Sequence, residues 1–282
     1  FSSIGFDTVW WTKIVLPIGI SFFTFQSLSY TMDVYRKVNA PLSKLTDYLL
    51  YILMFPQMIA GPIVRFSTIA DEINDRTANE TYENKLAGLM RFIIGLAKKV
   101  IIANTMAAVA DQAFAINAGD LNSATAWVGI IAYTFQIYYD FSGYSDMAIG
   151  LGKIMGFTFP ENFNNPYISK NITEFWRRWH MTLGTWMRDY LYIPLGGNRV
   201  NSSFRLYFNL WIVFLISGLW HGASWNFIAW GAFHGLFLVF DRLFLIKLTK
   251  RLGLINIPIT FFISVLGWVL FRAETLSDAD VY

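Results

Sequence analysis

The feature that most constrains this chain is a run of 35 residues, Leu206–Phe240, that contains no Asp, Glu, Lys or Arg. A helix of that length measures roughly 52 Å, whereas the hydrocarbon core of a bilayer is about 30 Å thick. Four glycines inside the run permit a bend and close helix packing, namely Gly218, Gly222, Gly231 and Gly235. The run therefore predicts a re-entrant hairpin or two short helices rather than one span.

Basic residues flank both ends of this run. The run is preceded by Arg199 and Arg205 and followed by Arg242, Lys247, Lys250 and Arg251. Because Lys and Arg concentrate on the cytoplasmic side of membrane spans, we expect both ends in the cytoplasm and His221 near the turn. The segment Asp111–Ser123 carries two acids and no base, and we expect it to face the opposite side.

Four more charge-free runs have the length of a span or nearly so: Ile14–Met32, Tyr48–Val64, Leu121–Tyr139 and Leu252–Phe271. A sixth, Leu86–Ala110, carries only Arg91, Lys98 and Lys99, which should snorkel or face protein. The composition also indicates a membrane protein, because 15% of the residues are charged, against about 25% in soluble domains. We predict an all-α, polytopic membrane protein with re-entrant and interfacial helices.

Composition also excludes several classes of protein. The net charge of +3 is spread over short loops, so we expect no nucleic acid partner. The absence of Cys excludes disulfides, thiolate zinc sites and a Cys nucleophile. The sequence begins at Phe1 without an initiator Met or a signal peptide. We therefore expect residues 1–282 to be a single membrane-embedded unit from a longer protein, lacking its N- and C-terminal portions.

The segment Asn171–Tyr192 has the pattern of an amphipathic helix. One stripe consists of Trp176, Trp179, Leu183, Trp186 and Tyr190, and the opposite stripe of Arg178, Thr182, Thr185 and Asp189. Such a helix favours the plane of the membrane interface. We expect Asn171 or Thr173 to cap it, with Glu174 in its first turn.

The three histidines are the main candidates for chemistry. His221 lies inside the charge-free run, where a neutral imidazole can accept a proton, although a hydrogen bond between helices is the simpler interpretation. His180 lies at the border of the two stripes and is the second candidate base. His234, between Phe233 and Gly235, is predicted to serve packing or hydrogen bonding.

Other constellations are weaker. Asp140 and Asp146 lie beside a predicted span, with Gly143 suggesting a break between them, and they favour interface solvation over a proton path. His221 and His234 are 13 residues apart, which turns them roughly 220° from each other on one helix. Two histidines without nearby carboxylates make a poor metal or haem site, so we predict no metal.

The residues alone leave three kinds of function open. A transporter or channel would use His221, Asp140 and Asp146 to relay protons or bind a solute. A haem oxidoreductase would use histidines as axial ligands. An enzyme would use a neutral histidine as its general base. Taken without further information, composition favours the transporter.

Four motifs narrow this choice. They read FPQMIAGPIVRF at 55–66, YYDFSGYSDMAIGLG at 138–152, NITEFWRRWHMTLGTWMRDYLYIPLGGNR at 171–199 and SGLWHGASWNFIAWGAFHG at 217–235. In this order they resemble the membrane-bound O-acyltransferase family, above all its members that O-acetylate alginate and other exported polysaccharides. The resemblance covers nearly the whole chain.

The resemblance implies a function as well as a fold. It implies a multi-helix core with a thin central layer, in a multi-pass protein of the bacterial inner membrane. An acyl group, expected to be acetyl, passes from a cytoplasmic thioester donor toward an exported polysaccharide. The donor is acetyl-CoA or a carrier-protein thioester, and no resident cofactor is expected. The expected partners are the lipid bilayer and a periplasmic or extracellular acetyltransferase.

The resemblance also assigns residues. The family's invariant histidine falls on His221 and its second characteristic histidine on His180, so both are expected to be catalytic. Substrate-binding roles, holding the pantetheine arm or its phosphates, are expected for the aromatic and basic neighbours of these histidines: Trp176, Arg177, Arg178, Trp179 and Trp220. Both histidine matches are intact.

Overall fold

The structure is a computed structural model that describes residues 19–117, 119–280 and 282. These residues form helices, short 3₁₀ and π segments and loops, and no β-strand occurs among them, which confirms the all-α prediction for this part of the chain. The first five residues of the predicted run Ile14–Met32 lie outside the described residues, and the rest of the run falls mostly within a helix.

The α-helices of the described residues are α1 Ile20–Tyr35, α2 Leu45–Leu53, α3 Phe66–Asn74, α4 Tyr82–Ala97, α5 Asn104–Phe114, α6 Ser123–Ile154, α7 Ile172–Arg178, α8 Met181–Met187, α9 Ser203–His221, α10 Trp225–Phe240, α11 Ile246–Thr249, α12 Asn256–Arg272 and α13 Leu276–Ala279. Three π-helical segments prolong α-helices: Lys98–Ala103 joins α4 to α5, Arg188–Tyr192 follows α8, and Asp241–Leu245 joins α10 to α11.

Helices α4 and α6 run antiparallel in close contact, because two pairs of glycines face each other. Gly88 lies against Gly150, and Gly95 against Gly143. A Cβ atom on Gly95 would lie 2.5 Å from the carbonyl oxygen of Gly143, which leaves no room for a side chain. The predicted break at Gly143 is therefore wrong. Helix α6 continues through it, and this glycine serves packing instead.

Helices α9 and α10 form an antiparallel hairpin with a short turn at 222–224. A Cβ atom on Gly218 would collide with the carbonyl of Phe227, and one on Gly231 with the carbonyl of Phe214. The long charge-free run is thus divided into two closely packed helices, and His221 is the last residue of α9, as predicted. Re-entry of this hairpin into a membrane stays a prediction.

Two helical stretches of the described residues are long and apolar enough to cross a membrane. They are Ser203–His221, of 19 residues, and Trp225–Arg272, of 48 residues. The second contains α10, α11 and α12 and bends at Gly253, whose φ of 57° is a conformation that glycine adopts readily. Crossing by the other predicted runs stays a prediction.

The bundle has two ends of opposite charge. Arg272 at the end of α12 pairs with Asp111 on α5 at 2.9 Å, and the Asn226 amide at the start of α10 donates to the carbonyl of Ala273. We call this the turn end, because it also holds the α9–α10 turn. This end also carries Asp120, Glu274, Asp278 and Asp280. The opposite, basic end carries Arg199, Arg205, Arg242, Lys247, Lys250 and Arg251.

Two predicted helices are interrupted in the structure. The run Tyr48–Val64 does not form one span, because α2 ends at Leu53 ahead of Pro56 and irregular chain precedes α3. The single interfacial helix Asn171–Tyr192 is also wrong, because it breaks between α7 and α8, and much of its aromatic stripe is buried within the protein. Its predicted start is confirmed, since the Asn171 side chain accepts a hydrogen bond from the backbone N–H of Glu174 at 2.7 Å.

We predict that Gly95→Leu destabilises the bundle, because its side chain has to displace the α6 backbone. Overpacking of this kind costs about 1–3 kcal/mol. Thermal unfolding of the detergent-solubilised protein should show a clearly lower Tm. The matched control is Ala108→Leu on the exposed face of α5, which should leave the Tm nearly unchanged. Equal melting temperatures for the two variants would contradict the glycine contact.

Candidate active site

The break between α7 and α8 places His180 inside the protein. Trp179 is extended, and His180 adopts a left-handed conformation with φ of 44° and ψ of 53°, which is uncommon for a residue with a side chain. The buried Asn162 holds the break. Its carbonyl accepts from the N–H of Met181 at 2.9 Å, and its side-chain oxygen accepts from the hydroxyl of Thr182 at 2.9 Å. The hydrogen bonds from Met181 and Thr182 to Asn162, which we call the clamp, therefore fix the chain at position 180.

The imidazole of His180 is almost fully enclosed, with 4% of its surface exposed. The ring of Phe141 meets it edge to face at 4.7 Å between centroids, and the centroid of the Trp220 ring lies 6.4 Å away. Its Nε2 atom has no hydrogen-bond partner among the described residues. Burial among aromatic rings disfavours the charged imidazolium, so the neutral ring of His180 can accept a hydrogen bond from a bound molecule.

His221 ends α9 and is half-buried in an aromatic surround. Its ring centroid lies 4.7 Å from that of Trp220, 5.1 Å from that of Trp230 and 5.2 Å from that of Phe271. Trp220 thus neighbours both His221 and His180. The fold brings the two histidines, 41 positions apart in the sequence, to the two sides of one tryptophan.

A cavity of about 500 Å³, which we call the main cavity, reaches His180. Its lining includes Trp176, Arg177, Trp179, His180, Thr185, Arg188, Tyr192 and, on α9, Leu210, Val213, Phe214 and Ser217. The α9 residues recur every three or four positions and so form one stripe of the helix. His221 lies four residues beyond Ser217, one turn further along that stripe. The main cavity therefore points from the basic end toward His221.

Only some of the site residues predicted from the sequence line the main cavity. Trp176, Arg177, Trp179 and His180 line the main cavity, whereas Arg178, Trp220 and His221 are not among its lining residues. The guanidinium of Arg178 pairs with Glu174 at 2.9 Å and donates to the carbonyl of Asn164 at 3.1 Å. Arg178 thus ties α7 to the preceding loop and faces away from the main cavity.

Sequence reasoning missed four residues of the site: Asn162, Arg188, Tyr192 and Ser217. Ser217 carried a usable signal, because it lies four residues before His221, a recognised candidate, in the charge-free run. Asn162 carried none, since an Asn in a polar loop gives no indication of its distant partner on α8. Only the folded chain identifies it as the clamp of the break.

His234 is fully buried in a cage of aromatic rings. The centroid of Trp176 lies at 4.8 Å from its own, and those of Trp230 and Phe233 at 5.2 Å each. Neither ring nitrogen has a hydrogen-bond partner in the described part of the chain. The packing role predicted for His234 is confirmed. Among the residues that the structure describes, no group of three or more His, Asp or Glu side chains is suited to bind a metal ion.

The two carboxylates of α6 are held by ion pairs. Asp146 pairs with Arg91 at 2.9 Å and with Lys98, and Asp140 pairs with Lys99. Arg91, Lys98 and Lys99 were predicted either to snorkel or to face protein, and their ion pairs show that they face α6. Asp146 and its partners Arg91 and Lys98 line a polar cavity of about 200 Å³ that also contacts Asn162.

Comparison with known proteins agrees with these features. The profile of MBOAT, the membrane-bound O-acyltransferase family, matches residues 7–271. A Pseudomonas aeruginosa protein named probable alginate O-acetylase AlgI is 51% identical over 279 residues, which is 99% of this chain and 53% of the relative. A peptidoglycan O-acetyltransferase of Helicobacter pylori is 42% identical, over 99% of this chain and 59% of the relative.

A teichoic acid D-alanyltransferase of Bacillus subtilis is more distant, at 31% identity over 93% of this chain and 70% of the relative. The chain spans about half the length of the alginate O-acetylase relatives that it matches. The profile match nonetheless extends over almost all of the chain and includes α7 to α10, which carry both histidines and the main cavity. The chain is a membrane protein and belongs to the membrane-bound O-acyltransferase family.

Proposed function

We propose that this chain is the core of an O-acyltransferase that moves an acyl group, expected to be acetyl, from a thioester donor toward an exported polysaccharide. The observation that carries the proposal is the main cavity, whose lining includes His180 and ends on α9 at Ser217, one helical turn before His221. The names of the relatives support it, since they denote transfer of acetyl to alginate or peptidoglycan and of D-alanine to teichoic acid.

In the proposed reaction His221 is the general base. It takes the proton of an acceptor hydroxyl, whose oxygen attacks the carbonyl carbon of the thioester. The carbon–sulfur bond then breaks, the new ester forms, and the thiolate recovers the proton from His221. His180, neutral and buried, positions the thioester by accepting a hydrogen bond from the donor. The acceptor is the polysaccharide or a periplasmic acetyltransferase partner that passes the acyl group on.

The pantetheine arm of the donor suits the main cavity. Such an arm has apolar stretches and amide groups, and the cavity offers Trp176 and Trp179 together with Thr185 and Ser217. The guanidinium of Arg177, also in the lining, has no salt bridge or hydrogen bond among the described residues. Acetyl-CoA and a carrier-protein thioester share this arm, so both fit the proposal.

We further propose that the basic end faces the cytoplasm of a bacterium and the turn end faces the periplasm, in a multi-pass protein of the inner membrane. Basic residues accumulate at one end, which the positive-inside rule places in the cytoplasm. The main cavity then opens toward the compartment in which acyl thioesters are made.

Single cysteines test this orientation directly, since the chain has no Cys of its own. Lys250→Cys at the basic end should react with a membrane-impermeant thiol reagent in inverted vesicles and stay unlabelled in intact cells. Glu274→Cys at the turn end should show the opposite pattern. Both positions are exposed. Labelling of both from the same side, or the reverse pattern, would contradict the orientation.

The transporter alternative is weakened by the ion pairs. It requires Asp140 and Asp146 to bind and release protons or a solute, whereas each carboxylate is already held by at least one basic side chain on the helix opposite. The haem alternative requires two histidines that face a common space. His234 is instead enclosed by aromatic rings and separated from His221 by Trp230.

We predict that His221→Ala lowers polymer acylation at least about 100-fold, the contribution typical of a general base. Membrane insertion should remain near that of the wild type, because His221 is the last residue of α9 and its replacement leaves the helix itself intact. The matched control is His234→Gln, which changes a histidine outside the reaction path and should retain most of the activity. Acylation above a few per cent of wild type in His221→Ala would refute the assignment of the base.

His180→Ala should act on donor use more than on acceptor use. If His180 positions the thioester, the variant raises KM for the donor more than KM for the acceptor when the two are varied separately. A residue with only a packing role would give equal losses at every donor concentration, together with a lower Tm. That pattern would exclude the positioning role.

A further inference from the structure

A second cavity of about 400 Å³ adjoins the main cavity at the basic end. Arg188, Tyr192, Ile193, Gly196, Gly197, Asn198 and Arg199 line it, and we call it the loop cavity. It shares Arg188 and Tyr192 with the main cavity, so the two spaces meet at these side chains. We infer that the loop cavity binds the phosphate group at the end of the donor's pantetheine arm, an inference that rests on the function proposed above.

The loop that forms this cavity is fixed by its glycines and by α9. Gly196 has a φ of 103° and Gly197 a φ of 53°, both in the left-handed region that favours glycine. The side-chain amide of Asn209 donates to the carbonyl of Leu195 at 3.1 Å and lies 3.4 Å from the carbonyl of Gly197. The carbonyl oxygens of Leu195 and Gly197 therefore point toward α9. These two hydrogen-bond acceptors do not face the loop cavity.

The remaining polar groups of the lining are mostly donors. The side-chain oxygen of Asn198 accepts from the Tyr192 hydroxyl and from Arg242, each at 2.8 Å. Because both donors occupy that oxygen, the amide NH₂ group points away from them, and it has no partner among the described residues. The guanidinium of Arg199 likewise has no salt bridge there. Arg188 binds Asp189 through Nε and Nη2 and leaves Nη1 available.

This set of donors fits a phosphate group. Guanidinium groups bind phosphate oxygens through charge-assisted hydrogen bonds, and the lining of the loop cavity contains no carboxylate that would repel an anion. An anionic lipid headgroup at the membrane surface offers the same chemistry. Continuity with the main cavity favours the donor, because a phosphate held here is connected to the space that reaches His180.

The spacing is consistent with that choice. His180 and Arg188 are separated by eight residues of helix, roughly 12 Å along its axis. A pantetheine arm has about as many bonds between phosphate and sulfur as four residues of extended backbone, ~14 Å. A phosphate bound in the loop cavity would therefore allow the thioester to reach His180.

The test compares two donors on the full-length protein in detergent: acetyl-4′-phosphopantetheine and acetyl-pantetheine, which lacks the phosphate. Arg199→Gln should raise KM for the phosphorylated donor roughly tenfold, as expected for the loss of one charge-assisted hydrogen bond, and leave KM for acetyl-pantetheine unchanged. The control is Arg205→Gln, a basic residue at the same end that stacks on Phe208 outside the loop cavity. An equal rise for both donors would overturn the phosphate site.

A binding measurement separates this inference from the proposed function. Phosphopantetheine should raise the Tm of the wild type by more than pantetheine does, and Arg199→Gln should abolish that difference. Stabilisation by short-chain phosphatidylglycerol without stabilisation by phosphopantetheine would assign the loop cavity to lipid and overturn the inference. If no thioester supports acyl transfer, the proposed function fails, whereas the shift in Tm still decides the phosphate site.

Discussion

The requirement that every buried backbone group finds a partner governs the centre of this protein. A buried backbone group without a hydrogen-bond partner is costly, so irregular chain inside a protein requires that the protein itself supplies partners. The segment between α6 and α9 meets this requirement. The N–H of Asn164 donates to the carbonyl of Arg178 and that of Met181 to the carbonyl of Asn162, each at 2.9 Å, across the break at His180. The break is thus stabilised by the loop that precedes it.

The position of His180 and the shape of the main cavity follow from this pairing. In a continuous helix over Asn171–Tyr192, the direction of the side chain at position 180 would be determined only by its position in the helical repeat. The left-handed conformation at His180 instead redirects the chain, so that Trp176 on α7 and Arg188, just after α8, line one space. Because a left-handed conformation costs about 1–2 kcal/mol for residues other than glycine, the clamp by Asn162 and Thr182 has to offset it.

How much the sequence could predict depends on whether a feature is local. The hairpin α9–α10 was predictable, since the length of a charge-free run and its glycines are local properties. The cap at Asn171 was predictable for the same reason. The break at His180 was not, because the periodicity of residues 171–192 favours one helix and the competing partner, Asn162, lies on a distant loop. The closeness of His180 to Trp220 depends on that break, so it was visible only in the folded chain.

The glycine contacts and the active site are linked through α9. One face of this helix packs on α10 through Gly218, whereas another carries Ser217 and, one turn later, His221. A single rigid element therefore sets the distance between the wall of the main cavity and the proposed base. The ring of Phe214 on α9 meets that of Trp176 on α7 at 5.0 Å, which holds the helix with His221 against the segment with His180. The separation of the two histidines is thus determined by packing between rigid helices, which is what transfer between a positioned donor and a positioned base requires.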